Sequence, residues 1–130
     1  MTRTLLIVED SPQMAANLEI ALSSMDGLDV HVAACGAEAL RWLESDGSPD
    51  VAAVVTDLDL PKVDGFEIIE RMRANPRFAD TPIIVSSGST DPESPSRAMR
   101  LGADAYFVKP YSPGELRRTV ESLLRVKDDV

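Results

Sequence analysis

The chain has 130 residues, 44% hydrophobic and 27% charged, with 13 Lys and Arg against 22 Asp and Glu for a net charge of −9. A chain of this size buries a core in one domain without disulfides or a structural metal, and its single cysteine, Cys35, excludes an intrachain disulfide and a Cys-based zinc site. The acidic balance argues against binding naked nucleic acid or anionic lipid, and the longest apolar runs, Leu5–Val8 and Val51–Val55, are far short of the roughly 18 residues of a membrane span.

The first predicted strand, Thr4–Val8, follows a start without the apolar region and cleavage site of a signal peptide, so a reduced, cytoplasmic domain is expected. Ser11 and Pro12 then read as N-cap and first residue of a helix whose apolar face is Met14, Leu18, Ala21, Leu22 and Met25. Asp29–Ala33 is the second strand, and Ala37, Leu40 and Leu43 outline a shorter second helix. Val51–Thr56 is a continuous apolar run, as expected for a strand covered on both faces. Asp64-Gly65-Phe66-Glu67 reads as a capping box ahead of the stripe Phe66, Ile69 and Met72. Pro82–Ser86 is the fourth strand. Pro92 and Pro95 then delay the fourth helix, placing its N-cap at Ser94 and its body at about Pro95–Leu101. Ala105–Val108 is the fifth strand, and Ser112-Pro113-Gly114-Glu115 caps a last helix carrying Leu116, Val120, Leu123 and Leu124. The methionines, at helical spacing, read as core; His31, Cys35 and Trp42 read as structural residues.

Strand–helix alternation with short connections implies a parallel sheet with right-handed crossovers. Five such units fit an α/β, flavodoxin-like (βα)5 three-layer sandwich with strand order 2-1-3-4-5. Its site is expected at the carboxyl ends of the strands, at the switch point between strands 1 and 3. Strand 1 ends in Glu9-Asp10, strand 3 in Asp57, strand 4 in Ser86-Ser87-Gly88 and strand 5 in Lys109-Pro110. Three carboxylates from Glu9, Asp10 and Asp57 cannot crowd together ionised without a raised pKa or a bound cation. Oxygen ligands without histidine or thiol suit Mg²⁺. Lys109 adds a point charge for phosphate or carboxylate, and Ser87 a hydroxyl donor. An ionised aspartate is already a nucleophile at pH 7, and attack on phosphorus gives an aspartyl phosphate. The loop after strand 1 is acidic and has Pro12 where a phosphate cradle needs glycines, which counts against FMN or nucleotide binding in the usual way.

Four segments together resemble the receiver domain of two-component response regulators, in its single-domain, chemotaxis-regulator-like form. They are Val8-Glu9-Asp10-Ser11, Thr56-Asp57-Leu58-Asp59-Leu60-Pro61 with Asp64-Gly65, Pro82-Ile83-Ile84-Val85-Ser86-Ser87-Gly88, and Gly102 through Tyr111. The resemblance implies Asp57 as phosphoacceptor and Glu9, Asp10, Asp57 and the backbone carbonyl of Asp59 as the Mg²⁺ ligands. It further implies Lys109 as the phosphate-contacting lysine, Ser87 as switch hydroxyl, Tyr106 as switch aromatic, and a cis peptide before Pro110. The implied partners are a histidine kinase or phosphotransfer protein upstream and a protein docking on the helix 4, strand 5 and helix 5 face downstream. Residues 1–130 are expected to be one receiver domain without an output domain, signalling by protein contact or onward phosphotransfer, and catalysing only its own phosphorylation and dephosphorylation.

Two other readings compete. Val54-Val55-Thr56-Asp57-Leu58-Asp59 also resembles the nucleophile motif of haloacid-dehalogenase-like phosphatases, with Asp59 as acid/base. Its acidic pair precedes the nucleophile, however, and the only late one is Asp128-Asp129 in the tail. A degenerate receiver acting as a scaffold is the third reading, opposed by the intact acidic pair, Asp57, Ser87 and Lys109.

Overall fold

The expected alternation is realised in full in a computed structural model that describes residues 3–45 and 50–128; Asp129, named above with Asp128, lies outside them. The strands are β1 (Arg3–Val8), β2 (Leu28–Ala33), β3 (Val51–Asp57), β4 (Ile83–Ser87) and β5 (Ala105–Val108). The helices are α1 (Pro12–Leu22), α2 (Gly36–Glu44), α3 (Gly65–Ala74), α4 (Ser94–Leu101) and α5 (Pro113–Asp128). Every strand pair is parallel and the order is β2-β1-β3-β4-β5, the flavodoxin-like order.

Side chains alternate across a strand, so each strand feeds two apolar layers. Leu6, Val8, Val54 and Val85 pack with Leu40, Leu43, Ile68, Ile69 and Met72 from α2 and α3. Leu5, Ile7, Ala53, Val55 and Ile84 pack with Leu18, Leu22, Leu116 and Val120 from α1 and α5. All seven residues of β3 are buried, as its uninterrupted apolar run requires at the centre of a sheet covered on both sides. The continuous runs of β1 and β3 therefore place Glu9 and Asp57 at the ends of the two strands that flank the switch point.

Three expectations need correction. Helix α4 begins at Ser94 itself, with Glu93 as its cap residue and no side-chain cap bond. The turn starts earlier, where the Asp91 carboxylate takes the Glu93 amide (2.9 Å) and the Asp91 carbonyl takes the Ser94 amide (3.1 Å). Proline in the first turn loses no helical bond, so Pro95 does not postpone the start. In α2 the buried residues are Gly36, Ala39, Leu40 and Leu43, while Ala37 faces solvent. Met99 is 46% exposed, unlike the buried Met72.

Arg73, at the end of α3, locks the far end of the sheet. Its guanidinium donates to the carbonyls of Gly102 (2.8 Å), Phe78 (2.9 Å) and Thr81 (2.8 Å) and pairs with Asp104 (3.1 Å). Gly102 sits at φ 123°, and a Cβ there would lie 2.8 Å from the Arg73 side chain, so glycine is required on both counts.

Candidate functional site

Asp57 is the last residue of β3 and only 4% exposed. The chain returns at once: the Gly65 amide donates to the Leu58 carbonyl (3.1 Å), and Asp64 caps α3 by accepting the Glu67 amide (3.0 Å). A Cβ on Gly65 would stand 2.3 Å from the Asp57 carbonyl oxygen, so the glycine lets α3 start against the strand end that bears the carboxylate. The reciprocal half of the capping box is not made by Glu67, whose carboxylate lies 3.6 Å from Arg71 instead.

Glu9 continues β1 and is 3% exposed. Its Oε2 accepts the Ser11 amide (3.1 Å), while the Ser11 hydroxyl accepts the Met14 amide (3.4 Å) as N-cap of α1. With the cap supplied by Ser11, the exposed Asp10 is released for other work. Carboxylate oxygens of Glu9, Asp10 and Asp57 lie within 4.8 Å of one another. Lys109 enters from the end of β5, where its amide donates to the Ser87 carbonyl (2.8 Å) and the Lys109–Pro110 peptide is cis. Its Nζ lies 2.8 Å from Glu9 Oε1 and 3.0 Å from Asp57 Oδ2.

Burial pushes the Glu9 carboxyl above the usual carboxylate range, against the lowering effect of its bonds from Lys109 and Ser11. Burial works against the charge of Lys109 too, but its hydrogen bonds to Glu9 and Asp57 prevail and hold its pKa above the ordinary lysine value. Two of the three carboxylates, Glu9 and Asp57, thus share one ammonium, and Asp10 stands beside them without it. Hard oxygen donors with Asp10 on an open side fit a hard divalent cation.

The structure separates the two β4 hydroxyls. Ser87, fully buried, donates to Asp59 Oδ2 (3.2 Å), and its Oγ accepts the Ser89 amide (3.0 Å). Ser86 points to the opposite layer and donates to the Tyr111 hydroxyl (3.0 Å). Asp59 also donates its amide to Asp57 Oδ1 (3.0 Å), so it touches both the acceptor candidate and the switch candidate. Tyr106 is half-buried against the α2–α3 layer, and its hydroxyl is buried without a hydrogen-bond partner among the described residues. His31 stacks on Trp42 with ring centroids 4.7 Å apart, away from this cluster. The Asp59–Ser87 and Ser86–Tyr111 bonds were not visible in the sequence. The clue that existed for the second was Tyr111 directly after Lys109-Pro110.

The model of the family described as the response regulator receiver domain matches residues 5–121. The chain belongs to that family. Chemotaxis protein CheY1 of Helicobacter pylori is 32% identical to this receiver over 124 residues, 95% of this chain and 98% of that protein. A putative response regulator from Chloroflexus aurantiacus is 33% identical in its solved structure, with a TM-score of 0.83 over 96% of this chain and 99% of that one. A beryllofluoride-activated DrrB receiver domain is 25% identical, also with a TM-score of 0.83, over 96% and 99%. The receiver is therefore a switch of two-component signalling, a signalling protein and not a conventional enzyme, from a family that binds divalent metal and works with histidine kinases and downstream effectors. None of these relatives supports the haloacid-dehalogenase-like alternative. The Asp59 carboxylate, its acid/base in that reading, instead accepts the Ser87 hydroxyl. No helix among the described residues is long and apolar enough to cross a membrane.

Proposed function

We propose that this receiver takes a phosphoryl group onto Asp57 from a histidine kinase or phosphotransfer protein and thereby changes its affinity for a downstream protein. The observation that carries the reading is the buried Asp57 carboxylate, with Lys109 Nζ at 3.0 Å and the carboxylates of Glu9 and Asp10 beside it. An Asp57 carboxylate oxygen forms the new bond to phosphorus. The bond from phosphorus to the donor's nitrogen breaks, and its electron pair leaves with that nitrogen. Asp57 needs no general base, because its proton is already gone. Lys109, which bridges two carboxylates beforehand, turns to the added phosphoryl oxygens, and the Ser87 hydroxyl is their second donor. Glu9, Asp10, Asp57 and the main-chain carbonyl of Asp59 would hold Mg²⁺, which supplies charge neutralisation around the phosphoryl group. The only reactions catalysed are the chain's own phosphorylation and the hydrolysis that reverses it.

Tyr106 is the readout residue in this scheme. It lies on β5, whose Val108 is 56% exposed, beside α4 with its exposed Met99. The α4–β5–α5 face is accordingly the proposed docking surface for the downstream protein. A kinase-fed switch of this kind works in the cytoplasm.

Intact-mass measurement after incubation with acetyl phosphate is the direct test. One phosphoryl group should add when Mg²⁺ is present, and none in Asp57→Asn or after chelation. Absence of an adduct on the unaltered chain overturns the reading. Repeated turnover of varied phosphomonoesters would do so in favour of a phosphatase.

A further inference from the structure

The Ser87 hydroxyl is already engaged before any phosphoryl group arrives. It has one proton to donate, and that proton points to Asp59 Oδ2 at 3.2 Å. It cannot donate to Asp59 and to a phosphoryl oxygen at once. We propose that Asp59 is a positioning residue that restrains Ser87 in the unphosphorylated receiver, so that phosphorylation must first withdraw this hydroxyl from the Asp59 carboxylate. The proposal rests on the phosphoacceptor reading of Asp57.

Two surrounding features give the restraint a direction. The Asp59 amide is itself held by Asp57 Oδ1 (3.0 Å), so the restraining residue is anchored to the carboxylate that is to be modified. On the other side, Ser87 Oγ accepts the Ser89 amide (3.0 Å), and Ser89 Oγ lies 3.3 Å from Ser94 Oγ, in the first turn of α4. Ser89 Oγ also accepts the Asp91 amide (3.2 Å). A continuous run of hydrogen bonds thus leads from Asp57 through Asp59, Ser87 and Ser89 to the start of α4. Releasing Ser87 from Asp59 moves the acceptor that anchors Ser89, and with it the turn that opens the helix of the proposed docking face. Asp59 is solvent-exposed and keeps its hydration when it lets go, so the restraint is a modest bias, not a lock.

The test is a double-mutant cycle on Asp59 and Ser87, read by beryllofluoride binding in Mg²⁺ and by amide spectra of the free protein. Asp59→Ala should tighten beryllofluoride binding by roughly three- to tenfold, the scale of one hydrogen bond. It should also shift the Ser89 amide resonance with no ligand present. In the Ser87→Ala background, Asp59→Ala should gain only the smaller part that comes from removing a negative charge. Asp59→Asn retains an acceptor and loses the charge, so it should reproduce that smaller part. An equal gain from Asp59→Ala in both backgrounds, or an unmoved Ser89 amide, overturns the restraint alone. Failure of the unaltered receiver to bind beryllofluoride overturns it together with the phosphoacceptor reading.

Discussion

Lys109 holds together a group of charges that would otherwise repel. Its Nζ bridges Glu9 and Asp57, both almost fully buried, from a position that is itself 20% exposed. Removing one partner of such a cluster leaves the others desolvated and unpaired. Lys109→Ala is expected to lower unfolding free energy by about 2 kcal/mol in metal-free buffer, below the range for a fully buried pair because the lysine reaches solvent. Urea denaturation with and without Mg²⁺ checks this, and the cation should recover part of the loss. The carboxylates, the lysine and the serine were all legible as residues, because each ends an apolar run that only a strand explains. Their pairing was not. Lys109 is 100 residues from Glu9 along the chain, and only the parallel topology tells that the two strand ends meet. The receiver resemblance uses only the main-chain carbonyl of Asp59, and nothing in the linear sequence says that its side chain reaches Ser87.

Among the elements, the strands were legible to within one residue because buried parallel strands write continuous apolar runs. Helix starts were legible where a side chain supplies the cap, as at Ser11 and Asp64, and misplaced at α4, where a turn around Asp91 does that work. Arg73 carried no sequence signal, because most of its partners are main-chain carbonyls, which any residue supplies. Replacing it even by lysine forfeits the fork that serves several carbonyls at once. Arg73→Lys should cost about 2 kcal/mol, seen as a shifted denaturation midpoint with Mg²⁺ binding intact. Gly65 is the tighter constraint on the site. A methyl group there meets main-chain atoms of Asp57 and Leu58, which cannot swing aside like a flexible side chain. Gly65→Ala should destabilise by about 2–3 kcal/mol and also weaken Mg²⁺ binding, because relief of the clash displaces the strand end. Calorimetric titration with Mg²⁺ separates this outcome from plain loss of stability.

At the scale of the whole molecule, a net charge of −9 and a three-carboxylate cluster make divalent cations natural stabilisers of the folded state. A hundredfold excess of Mg²⁺ over its dissociation constant adds about 2.7 kcal/mol by mass action, or roughly 5–10 °C in melting temperature. Scanning calorimetry should show that rise with Mg²⁺, little of it with NaCl at equal ionic strength, and much less of it in Asp10→Asn. The neighbouring hydroxyls of β4 carry a consequence of another kind. Ser86 and Ser87 are adjacent in the chain yet look into opposite halves of the protein, one toward Tyr111 and the other toward Asp59. A single strand end therefore addresses two flanks through separate wires. A substitution at Ser86 can change the surroundings of Tyr111 while the contact of Ser87 with Asp59 stays as it was, so the two flanks are free to diverge independently.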